Sequence, residues 1–204
     1  MSDSELNEKQ QHIINVAETV FTRYGYDKTA ISDIAAEAGL GKGTLYYYFD
    51  SKEDLFIEVM KLQIQAVFVE MREKLATLQK ASDKLLTSLV APLSLLRDKA
   101  PLYLQFINAN TNMFHTKLID FQNEKQSEIC NSLQEIILEG QQSGEFREDI
   151  DAKACAGVIY RKLMFGDENK TNCTFCEEMI KQKEKDLNLL IELILTGLIK
   201  REVS

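Results

Sequence analysis

The sequence predicts an all-α protein of about nine helices, with a small three-helix head that contains a helix-turn-helix and a larger helical bundle behind it. Three observations carry that prediction. Only two prolines and nine glycines interrupt 204 residues. Apolar residues recur at three- and four-residue spacing over long stretches, as one face of a helix requires. The composition, 45% hydrophobic and 27% charged, is that of an ordinary globular chain.

The first helix carries Ile13, Val16, Ala17, Val20, Phe21 and Tyr24 on one stripe, and Gly25 ends it in a C-cap position. A short second helix starts at Thr29 or Ala30, of which Thr29 is the better cap by chemistry, and turns Ile31, Ile34, Ala35 and Ala38 to one side. Gly39 supplies the left-handed residue for a sharp turn. A third short helix covers roughly 43–49, and Ser51 with Asp54 forms a capping box for a fourth helix reaching about 78. Further helices span roughly 82–98, 101–109, 112–142, 151–166 and 176–201. Pro92 should kink the first of these, Ser143-Gly144-Glu145 marks a turn, and Asp149 or Asp151 caps the next helix.

The run Tyr46-Tyr47-Tyr48-Phe49 raises the question of which rings are core. With Thr44 at zero and ~100° per residue, Leu45 and Phe49 fall near 100° and 140°. Tyr47 and Tyr48 flank Thr44 at about −60° and +40°, and Tyr46 sits on the border near 200°. Leu45 and Phe49 are thus the core anchors, and Thr44, Tyr47 and Tyr48 form an outward face whose hydroxyls reach a phosphate or a base edge. Lys42 precedes the helix and Gly43 permits close backbone approach. Lys52 stands in the first turn of the next helix, where the dipole disfavours a cation; it is either solvated or bound to an anion from outside.

The stretch from Phe21 to Phe56 resembles the DNA-binding head of TetR-family transcriptional regulators. The match runs through Gly25, Tyr26, Thr29, Ile34, Ala35, Ala38, Gly39, Gly43, Leu45, Tyr46, Tyr48, Phe49 and Lys52, a joint pattern far more specific than any of its parts. The resemblance implies a DNA-binding head at 1–54 and an effector-binding and dimerisation body at 55–204. It implies that Lys42, Thr44, Tyr47 and Tyr48 reach the major groove or its flanking phosphates. Tyr46 would support the helix, Lys52 would contact the backbone outside the groove, and Thr29 and Ser32 would donate to phosphate. The head departs from that expectation in charge. Lys9, Arg23, Lys28, Lys42 and Lys52 face ten Asp and Glu within residues 1–54, so non-specific affinity should be modest and salt-sensitive.

Farther along, Ser143–Ile159 looks like the family's approach to its penultimate helix. The last helix is apolar around nearly its whole circumference near Leu187, Leu190, Ile191, Ile194, Leu195 and Leu198. Either it lies fully buried, or one stripe meets a second copy together with Val158 of the preceding helix, giving a homodimer and a palindromic operator. Phe68, Met71, Tyr103, Phe106, Met113, Phe114, Phe121, Tyr160, Met164 and Phe165 are adaptable apolar groups on the middle helices. They are ordinary core or, as the resemblance implies, the lining of a cavity for a small hydrophobic or amphipathic effector. Asn108, Asn110, Asn112 and His115 are candidates for its polar contacts.

The formal net charge of −8 argues against nucleic acid only as a whole-molecule number. The polar, acidic N-terminus has no signal-peptide pattern, and no run approaches ~18 apolar residues, so a cytoplasmic protein with reduced thiols is expected. Cys173-Thr-Phe-Cys176 is a redox-switch candidate or an unremarkable pair of thiols; Cys130 and Cys155 supply no second zinc pair, and no metal or cofactor is expected. His12 and His115 are the only histidines, and no phosphate loop or dinucleotide glycine pattern supports an enzyme. A helical interaction protein without DNA binding is the remaining alternative.

Overall fold

The computed structural model describes residues 3–103, 115–165 and 196–199. Among them lie α1 (Asp3–Tyr24), α2 (Ile31–Glu37), α3 (Lys42–Tyr48), α4 (Lys52–Ala76), α5 (Ala81–Lys99), α6 (His115–Gln142) and α7 (Ala152–Phe165). No strand is present among the described residues beyond one isolated antiparallel bridge, Phe146 with Ile199. Residues 101–103 begin a further helical turn.

The ends of these helices follow local chemistry. Gly25 and Gly39 take φ of 79° and 67°, which only glycine adopts without strain, and so close α1 and α2. The cap of α2 is Ala30 rather than Thr29. Thr29 is buried and its hydroxyl donates back to the Gly25 carbonyl at 2.7 Å, while the Asp33 carboxylate accepts from the Ala30 N–H at 3.0 Å. Ser51 caps α4 as expected, its Oγ accepting from Asp54 N at 3.0 Å. Asp151 rather than Asp149 caps α7, accepting from Ala154 N, and Asp149 pairs with Arg147 instead. α1 begins about ten residues before its apolar stripe, because Glu, Lys and Gln propagate a helix without needing burial. α5 runs through Pro92 as one element. Of the last helix, expected over 176–201, residues 196–198 are helical and Ile199 forms the bridge to Phe146; the rest lie outside the described residues.

Three apolar clusters hold these helices. The first joins Ile13, Ala17, Val20, Phe21, Ile34, Leu45 and Phe49 of the head to Leu55, Phe56, Val59 and Met60 of α4. It also contains Leu102 and Leu118, so the core runs unbroken across residue 54. The second packs α5 against α6 and α7 around Leu85, Leu89, Ile137, Phe146 and Ile159. The third, between α4 and α5, is built from Ile64, Val67, Leu95 and Ala100. Burying one such side chain contributes about 1.5–3 kcal/mol.

A clasp closes the far end of the second cluster. After Gly144 (φ 78°) the chain turns Phe146 onto Gly140, where a Cβ would overlap the ring. Phe146 N donates to Gly140 O, and Arg147 N donates to Leu198 O, each at 2.9 Å. Glu145 meanwhile covers the start of α5, accepting from Ala81 N, Ser82 N and Ser82 Oγ at 2.8–3.1 Å. Burial works against its charge, but these hydrogen bonds outweigh it and hold the carboxyl below its ordinary value.

Candidate nucleic-acid interface

α3 is the head's outward helix. Leu45 and Phe49 are 1% and 5% exposed and hold it to the first cluster. Tyr47 is 71% exposed and Tyr46 is 47% exposed. Lys42 is exposed as well, its ammonium 5.8 Å from the Tyr46 ring centre. Gly43 has open space where a side chain would stand, so a ligand's backbone has room to approach there. Tyr48 is half-buried, packed against the first cluster, and its ring meets that of Tyr47 edge-on at 5.1 Å. Relative to the helical wheel, Tyr46 and Tyr48 have exchanged roles. A seven-residue helix ending in extended backbone at Phe49 lets the last tyrosine lean inward.

The turn that positions α2 is latched from α4. The Lys52 ammonium donates to Tyr26 O at 2.9 Å and to Thr29 O at 3.0 Å, and lies 4.1 Å from the Tyr26 ring centre. Tyr26 in turn packs on Phe21 and Phe56. A cation in the first turn of α4 is therefore compensated by carbonyls of its own chain, a third possibility beside solvent and an outside anion. Thr29, 3% exposed and donating to Gly25 O, belongs to the same latch. Ser32 is exposed at the start of α2.

In the body, the structure brings Phe68, Met71, Tyr103 and Phe121 together, half-buried, around the third cluster. The Tyr103 hydroxyl is pushed up by burial, against a hydrogen bond with Gln122. The Lys125 ammonium lies 4.9 Å from the Phe68 ring centre and 5.6 Å from that of Phe121, and pairs with Glu128 at 2.8 Å. Tyr160 is buried, and its hydroxyl is pushed up first by burial and then by Cys130 and Tyr103 nearby. Phe106, Asn108, Asn110, Asn112, Met113 and Phe114 lie outside the described residues.

Residues 13–59 match the family model for bacterial regulatory proteins of the tetR family. Along most of its length the chain is similar to a fatty acid metabolism regulator protein from Bacillus subtilis, with 29% identity over 93% of this chain and 95% of the other. In its head, and more loosely along most of its length, the chain resembles regulators of the TetR family. Its relatives include the transcriptional regulator QacR of Staphylococcus aureus, 25% identical over 92% of this chain and 97% of the other. Among solved structures it resembles FadR from Bacillus subtilis in complex with stearoyl-CoA, with a TM-score of 0.61 and 25% identity over 92% of this chain and 98% of that one. A regulator from Cytophaga hutchinsonii shares the fold, with a TM-score of 0.69 over 97% of this chain and 100% of that one. The chain is a DNA-binding transcriptional regulator, and the relatives named are regulators rather than enzymes.

Some sequence expectations need amending within that identity. Tyr24, placed on the buried stripe of α1, is 54% exposed, being the last residue of the helix before the chain turns at Gly25. Leu198 is 3% exposed inside the second cluster, so its own chain covers it and no partner copy can reach it. Val158 stands 50% exposed on α7. Leu187, Leu190, Ile191, Ile194 and Leu195, and both Cys173 and Cys176, lie outside the described residues, and of Met164 only the backbone is described. Burial pushes the thiols of Cys130 and Cys155 up, which makes them poorer nucleophiles. No group of metal-binding side chains occurs among the described residues, and no helix there is long and apolar enough to cross a membrane. The sequence reading missed Gln63, a buried polar residue on α4 whose only signal was its place inside an apolar stripe.

Proposed function

We propose that this regulator is a dimeric repressor that holds a palindromic operator through α3 of each protomer and releases it on binding a long-chain acyl-CoA. The observation that carries the effector class is the likeness, through head and body alike, to a fatty acid metabolism regulator and to FadR in complex with stearoyl-CoA. Tyr47, Tyr46, Lys42, Gly43 and Thr44 face the major groove, with Ser32 on a flanking phosphate and the Tyr48 hydroxyl reaching out from an anchored ring. Thr29 and Lys52 position the turn. The acyl chain lies against Phe68, Met71, Tyr103 and Phe121, joined by Phe106, Asn110, Met113, Phe114, Tyr160 and Met164. The segment from Leu187 to Leu195, with Val158, pairs the protomers in the cytoplasm. The effector acts by binding the DNA-free arrangement more tightly than the DNA-bound one.

The test is fluorescence anisotropy with labelled DNA from upstream of the chain's own gene, at low ionic strength, followed by titration with stearoyl-CoA. Binding and then release are expected. Absence of binding removes the operator reading; binding that stearoyl-CoA leaves intact removes the effector class.

A further inference from the structure

Gln63 and Thr29 are the buried polar side chains among the described residues, and Gln63, 2% exposed, lies in the middle of α4. Its amide has two partners on two other parts of the molecule. Nε2 donates to Glu18 Oε1 of α1 at 2.9 Å. Oε1 accepts from the backbone N–H of Leu102 at 3.1 Å. The orientation of the amide is fixed chemically, since a carboxylate offers only acceptors and a backbone N–H only a donor.

Both partners sit at strategic places. Glu18 follows Ala17 and precedes Val20 and Phe21, which are buried in the head's core, so its position is that of α1. The Leu102 N–H belongs to the helical turn opening at Pro101, where an N–H has no partner within its own helix. The next residue, Tyr103, packs against both the first and the third cluster. One amide therefore connects the DNA-binding head to the segment bordering the proposed effector region. Neither arm is lost easily, because the group left behind would be buried without a partner.

We propose that Gln63 is the coupling element between the two functions: a positioning residue through which displacement of residues 101–103 shifts α1 and with it the setting of α3. This rests on the effector reading given above. It predicts that α1 and the Leu102 amide sense one another even when neither DNA nor effector is present.

Two measurements test it. In the first, amide exchange at Leu102 is followed in the free, full-length protein. Glu18→Ala should raise it about tenfold. Glu18→Gln, which keeps an acceptor for Nε2, should stay within about twofold of wild type, and in a Gln63→Met background Glu18→Ala should add nothing. Unchanged exchange at Leu102 in Glu18→Ala overturns the proposal. In the second, stearoyl-CoA is titrated into the protein–DNA complex. Glu18→Ala should bind DNA and stearoyl-CoA separately yet show a smaller ratio between effector-free and effector-bound DNA affinities, and Glu18→Gln should restore it. A ratio equal to that of wild type overturns the proposal. If stearoyl-CoA fails to release even the wild type, the effector reading falls, and the exchange measurement still decides the coupling.

Discussion

Replacing Lys52 with methionine separates two roles that a lysine at this position can have. The substitution keeps most of the stem's volume and removes the ammonium. The structure assigns that ammonium hydrogen bonds to Tyr26 O and Thr29 O and a place over the Tyr26 ring. Hydrogen bonds from a charged donor are worth about 1.5–3 kcal/mol each when well shielded. Lys52 is partly buried rather than fully shielded, so about 1–1.5 kcal/mol apiece is the reasonable share. Against this, removing a cation from the first turn of α4 relieves about 0.3–1 kcal/mol of unfavourable dipole interaction. The net loss is about 1–2.7 kcal/mol, or about 2–11 °C in melting temperature for a chain of this length. Calorimetry measures that loss. The slope of log affinity against log salt for operator DNA reports the alternative, since losing a phosphate contact flattens it by about 0.9 per contact. The latch predicts a lower melting temperature and an unchanged slope. An unchanged melting temperature with a slope flattened by about 2 per dimer would refute the latch and restore the phosphate contact.

Three further outcomes follow from the same structure. Tyr47→Ala should weaken operator binding by about 1–3 kcal/mol in an electrophoretic shift and leave the melting temperature alone, whereas Tyr48→Ala should lower both, since its ring is half-buried. Gly140→Ala should destabilise the chain by about 1–3 kcal/mol in urea unfolding, because the new methyl group meets the Phe146 ring. The Glu145 carboxyl titrates below its ordinary value in the folded protein, so its stabilising effect is present above the unfolded-state value and is lost as pH falls through the folded one. Acid titration of unfolding in Glu145→Gln should therefore lack that part of the decline seen in wild type.

The head was legible in the sequence because its constraints are local. Gly25 and Gly39 mark the turns by conformational necessity, Ser51 announces α4 by its capping chemistry, and Leu45 with Phe49 separate from the tyrosines by helical angle alone. What escaped was decided by partners distant along the chain. Lys52 looked unpaired because its carbonyls lie 23 and 26 residues away. Thr29 looked like a cap because nothing local showed that its hydroxyl would turn back to Gly25. Gln63 drew no notice, since Glu18 and Leu102 become its neighbours only after three helices have packed. Leu198 failed as an interface residue for the same reason: Phe146 and Arg147 arrive from fifty residues upstream to claim that strand of chain.

The presence of Leu102 and Leu118 in the same cluster as Phe21 and Leu45 bears on protein engineering. A hybrid regulator made by splicing this reading module onto a foreign sensor at residue 54 would abandon Leu55, Phe56, Val59 and Met60 of α4 along with the two leucines that complete its interior. The transplant would begin life with a hole beneath its first helix. A junction in the second half of α4, with leucines supplied at the two corresponding sites of the recipient, keeps the transferred piece whole.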